Sequence, residues 1–226
     1  IMKTMNVCDF FSSPIGLGHV TRDIAIVNNL EGISINFVTG NGAAQILKKL
    51  DYKIENVYNP PAFIVENGKL NNQTKWLWNY FQYYKTCKKI SEKIIKKNNS
   101  NLIISDEDFA SLTVAQNLKI PNILITDVLE TKFTKGIASF IERKMNKSMM
   151  KIIKNCNLVI IPEEGDDQDN IRRTGPIVRE TNLSREELRR KFSFDKTTIV
   201  ISIGGTSAGL FLIDKAIESI LKINQD

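Results

Sequence analysis

The sequence predicts an α/β fold in which a doubly wound parallel sheet is covered by helices on both faces. Runs rich in Ile and Val alternate strictly with amphipathic stretches, and this alternation is typical of parallel sheets. The runs show little polar alternation, as expected of strands that are buried on both faces. With 226 residues, of which 42% are hydrophobic and 25% charged, the chain is long enough to bury a sizeable core.

Each predicted strand is followed along the chain by a predicted helix. The strands are assigned from short apolar runs: Met5–Phe11, Ile33–Thr39, Ile54–Tyr58, Leu102–Ser105, Asn122–Thr126, Leu158–Ile161 and Thr198–Ile203. The helices are assigned from the spacing of apolar residues in the longer stretches: Val20–Leu30, Ala43–Leu50, Gln73–Lys97, Phe109–Leu118, Ile137–Lys154, Arg185–Phe192 and Ala208–Leu221.

A change of composition marks a predicted domain boundary at residues 165–182. This stretch is first acidic, then contains a Gly-Pro pair, and is followed by Ser184 and Glu187, which fit a capping box that starts a new helix. We therefore predict one domain over 1–175 and, over 176–226, a linker and the first strand and helix of a second, incomplete domain. One strand and one helix cannot bury a core of their own. The expectation is that further chain or a partner subunit supplies the rest.

The only histidine, His19, lies in a Gly-rich turn between the first predicted strand and the first predicted helix. Gly16 and Gly18 let the main chain turn tightly and approach a ligand, and the free N–H groups of a helix start favour negative charge. The positive end of the helix dipole favours the neutral imidazole. A neutral imidazole in a ligand cradle is a candidate general base. The alternative is a histidine that only caps or packs the turn.

Acidic side chains follow the fourth predicted strand. In a doubly wound sheet, ligands bind where the strand order reverses, and the usual order makes this strand the neighbour of the first one. Asp106 or Glu107 is therefore expected near His19, where a carboxylate would orient the imidazole and stabilise its protonated form. The alternative is that Asp106 or Asp108 caps the following helix, and both roles can coexist with Asp108 as the cap.

Several other chemistries are disfavoured. Thr21 replaces the third glycine of a dinucleotide fingerprint, and the second predicted strand ends in Thr39-Gly40 rather than in an acidic ribose ligand. No Gly-Lys-Ser/Thr follows the turn, and Ser12 and Ser13 lack a nucleophile-elbow pattern. One histidine and three widely spaced cysteines provide no metal-ligand spacing, so no metal site is predicted.

Cysteine spacing, hydropathy and charge bound the location and the partners. Three widely spaced cysteines predict free thiols and a reducing compartment. The apolar runs are too short to cross a bilayer and no signal peptide is recognised, so we predict a cytoplasmic protein, with the inner face of the membrane as a place of contact. The net charge of +6 suits an anionic partner. No nucleic-acid recognition motif is found, and nucleic acid is not predicted as a partner.

Four motifs in a fixed order resemble a known family. They are Gly16-Leu17-Gly18-His19, Ser105-Asp106, Thr-Gly-Pro-Ile-Val-Arg at 174–179 and Gly-Gly-Thr-Ser-Ala-Gly at 204–209, in the order seen in MurG-like glycosyltransferases. That group belongs to glycosyltransferase family 28, is related to the UDP-glucuronosyltransferases and has the two-domain GT-B fold. The resemblance extends over nearly the whole chain. It implies a Rossmann-like acceptor-binding domain over 1–175 and, from 176 on, the start of a Rossmann-like domain for the nucleotide-sugar.

The resemblance also implies roles for individual residues. His19 would lie in the cleft between the two domains as base or acceptor-binding group, with Asp106 or Glu107 as its partner. Main-chain N–H groups of the Gly-rich turns suit phosphate binding. The residues expected to bind acceptor or phosphate are Gly16, Gly18, Gly204, Gly205, Thr206, Ser207 and Gly209. No metal or other cofactor is implied, because the nucleotide-sugar is itself a substrate.

Two segments combine aromatic and basic side chains. Trp76–Lys97 contains six aromatic residues within its first nine positions and six lysines after them, and 132–154 interleaves basic and apolar residues. This combination suits a membrane surface that carries anionic lipid. MurG-like enzymes act on polyprenyl- or lipid-linked acceptors, so the resemblance gives such a surface a use. The alternative is ordinary amphipathic packing with the lysines in solvent.

The sequence thus predicts a metal-independent glycosyltransferase that moves a sugar from a nucleotide-sugar, UDP-linked by the resemblance, to an acceptor hydroxyl. One alternative is a sugar-nucleotide epimerase of the same fold. The other is a non-catalytic acceptor-binding subunit of a split glycosyltransferase, whose partner carries the donor domain.

Overall fold

The computed structural model describes residues 6–62, 65–66, 69–70, 72–132, 134, 136–202 and 210–223. Seven strands of this part of the chain form one parallel sheet, and two more form a short antiparallel pair. The strands are β1 Asn6–Ser12, β2 Ile33–Thr39, β3 Ile54–Asn56, β4 Val65–Glu66, β5 Lys69–Leu70, β6 Leu102–Asp106, β7 Asn122–Ile125, β8 Leu158–Ile161 and β9 Ile171–Arg173. The large sheet has the order β3-β2-β1-β6-β7-β8-β9, and β4 pairs with β5.

Five of the seven described helices connect successive strands of the large sheet, and the last two follow its final strand. They are α1 Leu17–Val27, α2 Asn41–Lys49, α3 Gln73–Asn98, α4 Phe109–Asn117, α5 Ile137–Lys154, α6 Arg185–Lys191 and α7 Leu210–Ile223. The predicted capping box is confirmed: the Ser184 hydroxyl accepts from the Glu187 main-chain N–H, and the Glu187 carboxylate accepts from the Ser184 N–H. The predicted division of the chain at residue 175 stays a prediction.

The strand order reverses beside β1, which confirms the predicted doubly wound sheet. β1 pairs in parallel with β2 on one side and with β6 on the other. The carboxyl ends of β1 and β6 therefore lie side by side at the reversal point, where ligands bind in open α/β sheets.

Both faces of the sheet are buried, as the uninterrupted apolar runs predicted. Successive side chains of β1 point to opposite faces. Cys8 and Phe10 pack with Ile24 of α1 on one face, whereas Phe11 packs with Ile95 of α3 on the other. All three cysteines of the chain are buried free thiols. None of the described helices has both the length and the apolar composition that a membrane span requires.

The predicted strand Thr198–Ile203 is wrong over its described part. Residues 198–202 form no strand, and the side chains of Ile199 and Val200 are each 72% exposed. A strand needs a hydrogen-bonded neighbour, and none of the described strands pairs with this segment. Residue 203 lies outside the described residues.

Three short strands were not predicted from the sequence. β9 carries two arginines and forms the edge of the sheet beside β8, and β4 and β5 have two residues each. Edge strands and two-residue strands lack the apolar run on which strand prediction depends. The predicted strand ending at Tyr58 stops at Asn56, and the Tyr58 hydroxyl donates instead to Asp108 in the core.

Gly40, at the start of α2, is required by close packing. A Cβ atom there would lie 1.8 Å from the carbonyl oxygen of Tyr58. Because neither main chain can yield freely, we expect Gly40→Ala to lower the free energy of unfolding by about 1–3 kcal/mol, measured by urea denaturation. Gly18→Ala is the matched control, since nothing lies within 4 Å of a Cβ at this position. It should leave the stability unchanged or raise it by up to ~1 kcal/mol. Equal stability of the two variants would contradict the packing argument.

Candidate functional site

The turn between β1 and α1 is shaped by one glycine in the left-handed region. Gly16 has φ of 83° and immediately precedes α1. An L side chain is rarely found at that φ, so glycine is required by the backbone. Gly18 lies within the first turn of α1, where no described side chain forms a cap. The first turn therefore presents its N–H groups beside His19, and their predicted role in binding a ligand stays a prediction.

His19 and Asp106 are brought together by the topology, as predicted. Ser12 at the end of β1 is the register partner of Asp106 at the end of β6. α1 begins five residues after Ser12 and turns His19 back over the strand ends. The distance from His19 Nδ1 to Asp106 Oδ1 is 3.0 Å. The Asp106 side chain is fully buried and that of His19 is 17% exposed, so the ring is the accessible member of the pair.

Glu107 lies on the other side of the imidazole. Its Oε2 is 3.6 Å from His19 Nε2, beyond hydrogen-bond distance, while its Oε1 accepts from the main-chain N–H of Asp127 at 3.2 Å. Its φ of 57° is unusual for a residue with a side chain, and such strain is concentrated at functional sites. The two predicted partners of His19 therefore flank different ring nitrogens.

Asp108 caps α4, which was the alternative reading of this acidic segment. Its carboxylate accepts from the main-chain N–H groups of Ala110 and Ser111. The cap and the His19–Asp106 contact thus coexist, because Asp108 performs the first role and Asp106 the second.

Arg22 is a site residue that the sequence analysis missed. Its Nε and Nη2 donate to Oδ2 and Oδ1 of Asp106 at 2.7 and 2.6 Å, and its Nη1 donates to Asp127. Its Nη2 also lies 3.0 Å from His19 Nδ1. Arg22 follows His19 by three residues on α1, and residues at this spacing share a helix face. That spacing was the available signal.

Asp23, also missed, lies beneath Asp106. It is fully buried, and its Oδ2 accepts from the Ser12 hydroxyl at 2.5 Å. Its Oδ1 has no hydrogen-bond donor facing it among the described side chains. Burial, then the charge of Asp106 and a hydrogen bond shared with that carboxyl, raise the pKa of Asp23 well above its ordinary value. A proton on Asp23 accounts for its second oxygen and for two carboxyls lying in contact.

The pKa values of Asp106 and His19 are set by their contacts rather than by burial. Burial would raise the pKa of Asp106, but the hydrogen bonds from His19 and Arg22 outweigh it and lower the value to about 2. Burial would lower the pKa of His19, but the hydrogen bond and charge of Asp106, with the charge of Glu107, outweigh it and raise it above 6.5. The helix dipole favours the neutral ring, but the carboxylates on both sides act in the opposite direction, and the pKa of His19 is raised.

His19, Glu107 and Asp127 each offer a metal-ligating atom, and these atoms lie within 4.8 Å of one another. The guanidinium of Arg22 already donates to Asp127, and Glu107 Oε1 already accepts a main-chain hydrogen bond. A second cation would be repelled by the charge of Arg22 at this position. We therefore do not assign these residues as metal ligands.

The Gly-rich loop 204–209 lies outside the described residues. Its predicted phosphate-binding members, Gly204, Gly205, Thr206, Ser207 and Gly209, stay predictions.

Comparison with known proteins confirms the predicted similarity to glycosyltransferases. No protein-family model matches the chain. An uncharacterized glycosyltransferase of Methanopyrus kandleri is 24% identical over 140 residues, which are 57% of this chain and 40% of that protein. Among solved structures, the glycotransferase of kitacinnamycin has a TM-score of 0.56 at 11% identity, covering 78% of this chain and 53% of its own. UGT2 of Phytolacca americana, complexed with UDP-2-fluoro-glucose and pterostilbene, has a TM-score of 0.53 at 10% identity, covering 80% and 56%.

These likenesses confirm the fold class, that of one Rossmann-like domain of the GT-B type. The chain spans about half of the two solved structures and 40% of the curated relative. The narrower assignment to glycosyltransferase family 28 stays a prediction.

The raised pKa of His19 gives a direct test of the Asp106 contact. We expect the ring to titrate above 6.5, and Asp106→Asn to lower its pKa by roughly one unit or more, because the opposite charge beside Nδ1 is removed. NMR can follow the titration without ambiguity, since the chain contains one histidine. Asp195→Asn, at an exposed position, is the charge-matched control. A wild-type pKa at or below 6.5 would contradict this account of the site.

The same shift predicts how His19 contributes to stability at different pH. A pKa raised on folding stabilises the protein below the ordinary value of 6.5, and this contribution is lost as the pH rises through the raised value. His19→Gln should therefore lower the free energy of unfolding more at about pH 5.5 than at about pH 8.5. Urea denaturation at the two pH values measures the difference, and an equal loss at both would refute the linkage.

Proposed function

We propose that the chain is the acceptor-binding part of a glycosyltransferase in which His19 is the general base. The observation that carries this proposal is the 3.0 Å contact between His19 Nδ1 and the buried Asp106 carboxylate at the point where the strand order reverses. The similarity to glycosyltransferases supports the reaction class.

In the proposed reaction, an acceptor hydroxyl binds at His19 Nε2. Since Nδ1 faces Asp106, the proton of the neutral ring lies on Nδ1 and the lone pair lies on Nε2. Nε2 takes the hydroxyl proton as the acceptor oxygen bonds to the anomeric carbon. The bond from that carbon to the diphosphate oxygen breaks, and its electron pair leaves with the nucleoside diphosphate. Asp106 stabilises the imidazolium that forms.

The donor is proposed to be a nucleotide-sugar, with uridine as the first nucleoside to test. UGT2 of Phytolacca americana is a structural neighbour complexed with UDP-2-fluoro-glucose, which supports this choice. The loop 204–209 is proposed to bind the diphosphate through main-chain N–H groups, as its glycines suit close approach to phosphate.

A lipid-linked acceptor is the finer proposal for the substrate, and the outer face of α3 supports it. Trp78 and Phe81 are 63% and 46% exposed, and Lys85 Nζ lies 4.3 Å from the centre of the Phe81 ring. A neighbouring groove of about 500 Å³ lies between α3 and α4. Its lining includes three lysines and one glutamate of α3 and two apolar side chains: Lys85, Lys88, Lys89, Glu92, Val114 and Leu118. Exposed aromatic rings beside lysines are the composition that binds the surface of an anionic membrane.

The role of His19 is tested by His19→Gln in the full-length protein. We expect turnover to fall roughly 100-fold or more while the fold stays intact, because proton removal from the acceptor loses its base. The assay measures release of nucleoside diphosphate from a panel of UDP- and TDP-sugars, with and without acceptor. Conversion of the donor without any acceptor would favour the epimerase reading instead.

Gln45→Ala, at an exposed position of α2, is the matched control and should keep wild-type turnover. Turnover of His19→Gln within about threefold of the wild type would exclude His19 as the base.

The membrane proposal is tested separately, by sedimentation with vesicles of phosphatidylglycerol or of phosphatidylcholine alone. We expect binding to the anionic vesicles only, and this binding should weaken as the salt concentration rises. Phe81→Ala should bind roughly tenfold more weakly, because the apolar area that Phe81 would bury in the membrane is lost. Phe192→Ala is the matched control, since Phe192 is also exposed and also lies beside a lysine, Lys191, but on another part of the chain. Equal loss in both variants would refute the α3 surface as the contact.

A further inference from the structure

Arg22 donates hydrogen bonds to two acidic residues beside His19, Asp106 and Asp127. Its fork donates to both oxygens of Asp106, its third nitrogen donates to Asp127, and its Nη2 lies 3.0 Å from the ring. The Arg22 side chain is only 11% exposed. A largely buried guanidinium in this position is both a hydrogen-bonding frame and a fixed positive charge.

The guanidinium of Arg22 determines where the Asp106 carboxylate points. Asp106 is fully buried and lies against Asp23, so a second acidic group competes for its hydrogen bonds. Two donors from one planar fork fix both of its oxygens, and this orientation leaves Oδ1 facing His19 Nδ1. Without the fork, the Asp106 carboxylate would lose two charged donors, and its orientation towards His19 would no longer be fixed.

The geometry around the ring selects one tautomer. Nδ1 is 3.0 Å from Oδ1 of the ionised Asp106 carboxylate, which can only accept a hydrogen bond, and 3.0 Å from Nη2 of Arg22, which already donates to that same oxygen at 2.6 Å. Nε2 is 3.6 Å from Glu107, beyond hydrogen-bond distance. The ring proton is therefore held on Nδ1 and the lone pair on Nε2.

The fixed charge limits how strongly the ring attracts a second proton. The charged groups that face His19 are Asp106 and Glu107 at the end of β6, Arg22 on α1, and Asp127, whose carboxylate lies within 4.8 Å of a ring nitrogen and also bonds Arg22. Asp23 lies behind Asp106. Asp106 and Glu107 raise the pKa of His19, and Arg22 lowers it. Arg22 is the cation that opposes them at the ring.

We propose that Arg22 is a positioning residue that holds His19 in the Nδ1–H tautomer and limits its basicity, so that Nε2 stays free to accept a proton near neutral pH. This inference rests on the proposed function for its purpose. Its test does not, because the tautomer and the titration of one histidine are measured without substrate.

The experiment is NMR of the untagged, full-length protein labelled with ¹⁵N-histidine, titrated between about pH 5 and pH 10 to span the raised histidine pKa. The ¹⁵N shifts of the ring report which nitrogen carries the proton. In the wild type we expect Nδ1 to be protonated and Nε2 bare above the pKa. In Arg22→Met, we expect the pKa of His19 to rise by about one unit or more, because the opposing charge is lost.

Arg22→Lys separates the charge from the fork. Lysine keeps the positive charge, so the pKa should stay close to the wild-type value, but a single ammonium cannot bond both oxygens of Asp106. We therefore expect a mixture of the two tautomers above the pKa. A mixture of tautomers at an unchanged pKa differs from a general loss of structure. The ¹H–¹⁵N spectrum and the thermal unfolding of each variant show whether the fold is retained.

The outcomes that overturn the proposal are specific. A wild-type ring with its proton on Nε2 would refute the tautomer assignment, and this holds even if Arg22→Met does not fold. An unchanged or lower His19 pKa in folded Arg22→Met would refute the opposing charge. A transfer assay that finds no glycosyltransferase activity would affect the proposed function but neither of these results.

Discussion

The buried carboxylate of Asp106 is the group on which the rest of the site depends. A carboxylate without solvent exposure is unfavourable unless charged donors compensate for the lost hydration. Here the compensation comes from His19 and Arg22, while Asp23 lies against it with a raised pKa. All three belong to one helix, α1, at positions that face the same side. The buried Asp106 carboxylate at the end of β6 therefore requires compensating side chains in the first two turns of α1.

The fold provides the precision that this arrangement requires. The register between β1 and β6 sets Ser12 beside Asp106, and Val20 and Ile24 bury the opposite side of α1 against the sheet. Since the apolar residues of α1 fix its rotation, its polar face can only point towards the strand ends. A helix turned by one residue would expose Ile24 and remove Arg22 from Asp106. The apolar packing that stabilises α1 on the sheet therefore also fixes the geometry of the site.

Features that follow from general sheet topology could be predicted from the sequence. Features that depend on contacts between individual side chains could not. The approach of Asp106 to His19, 87 residues apart, followed from the strand order of doubly wound sheets. Arg22 and Asp23 look like ordinary polar residues of a helix, and only the position of Asp106 gives them partners. The sequence argument counted the helix dipole, which favours a neutral His19, but not the neighbouring carboxylates, which raise the pKa of the ring. The strand at 198–203 failed because an apolar run does not guarantee a pairing neighbour.

The balance of charge around His19 suits the general base that we propose. A general base becomes protonated as it acts, so the site must stabilise the imidazolium as it forms, and Asp106 and Glu107 lie beside the ring where they would do this. Stabilisation that is too strong would protonate the ring in advance and leave no base. Arg22 offsets part of the negative charge, and the raised pKa of Asp23 reduces the negative charge that this carboxyl adds. In the proposed reaction, Arg22 and Asp23, which were not predicted from the sequence, are therefore the residues that keep the His19–Asp106 pair usable near neutral pH.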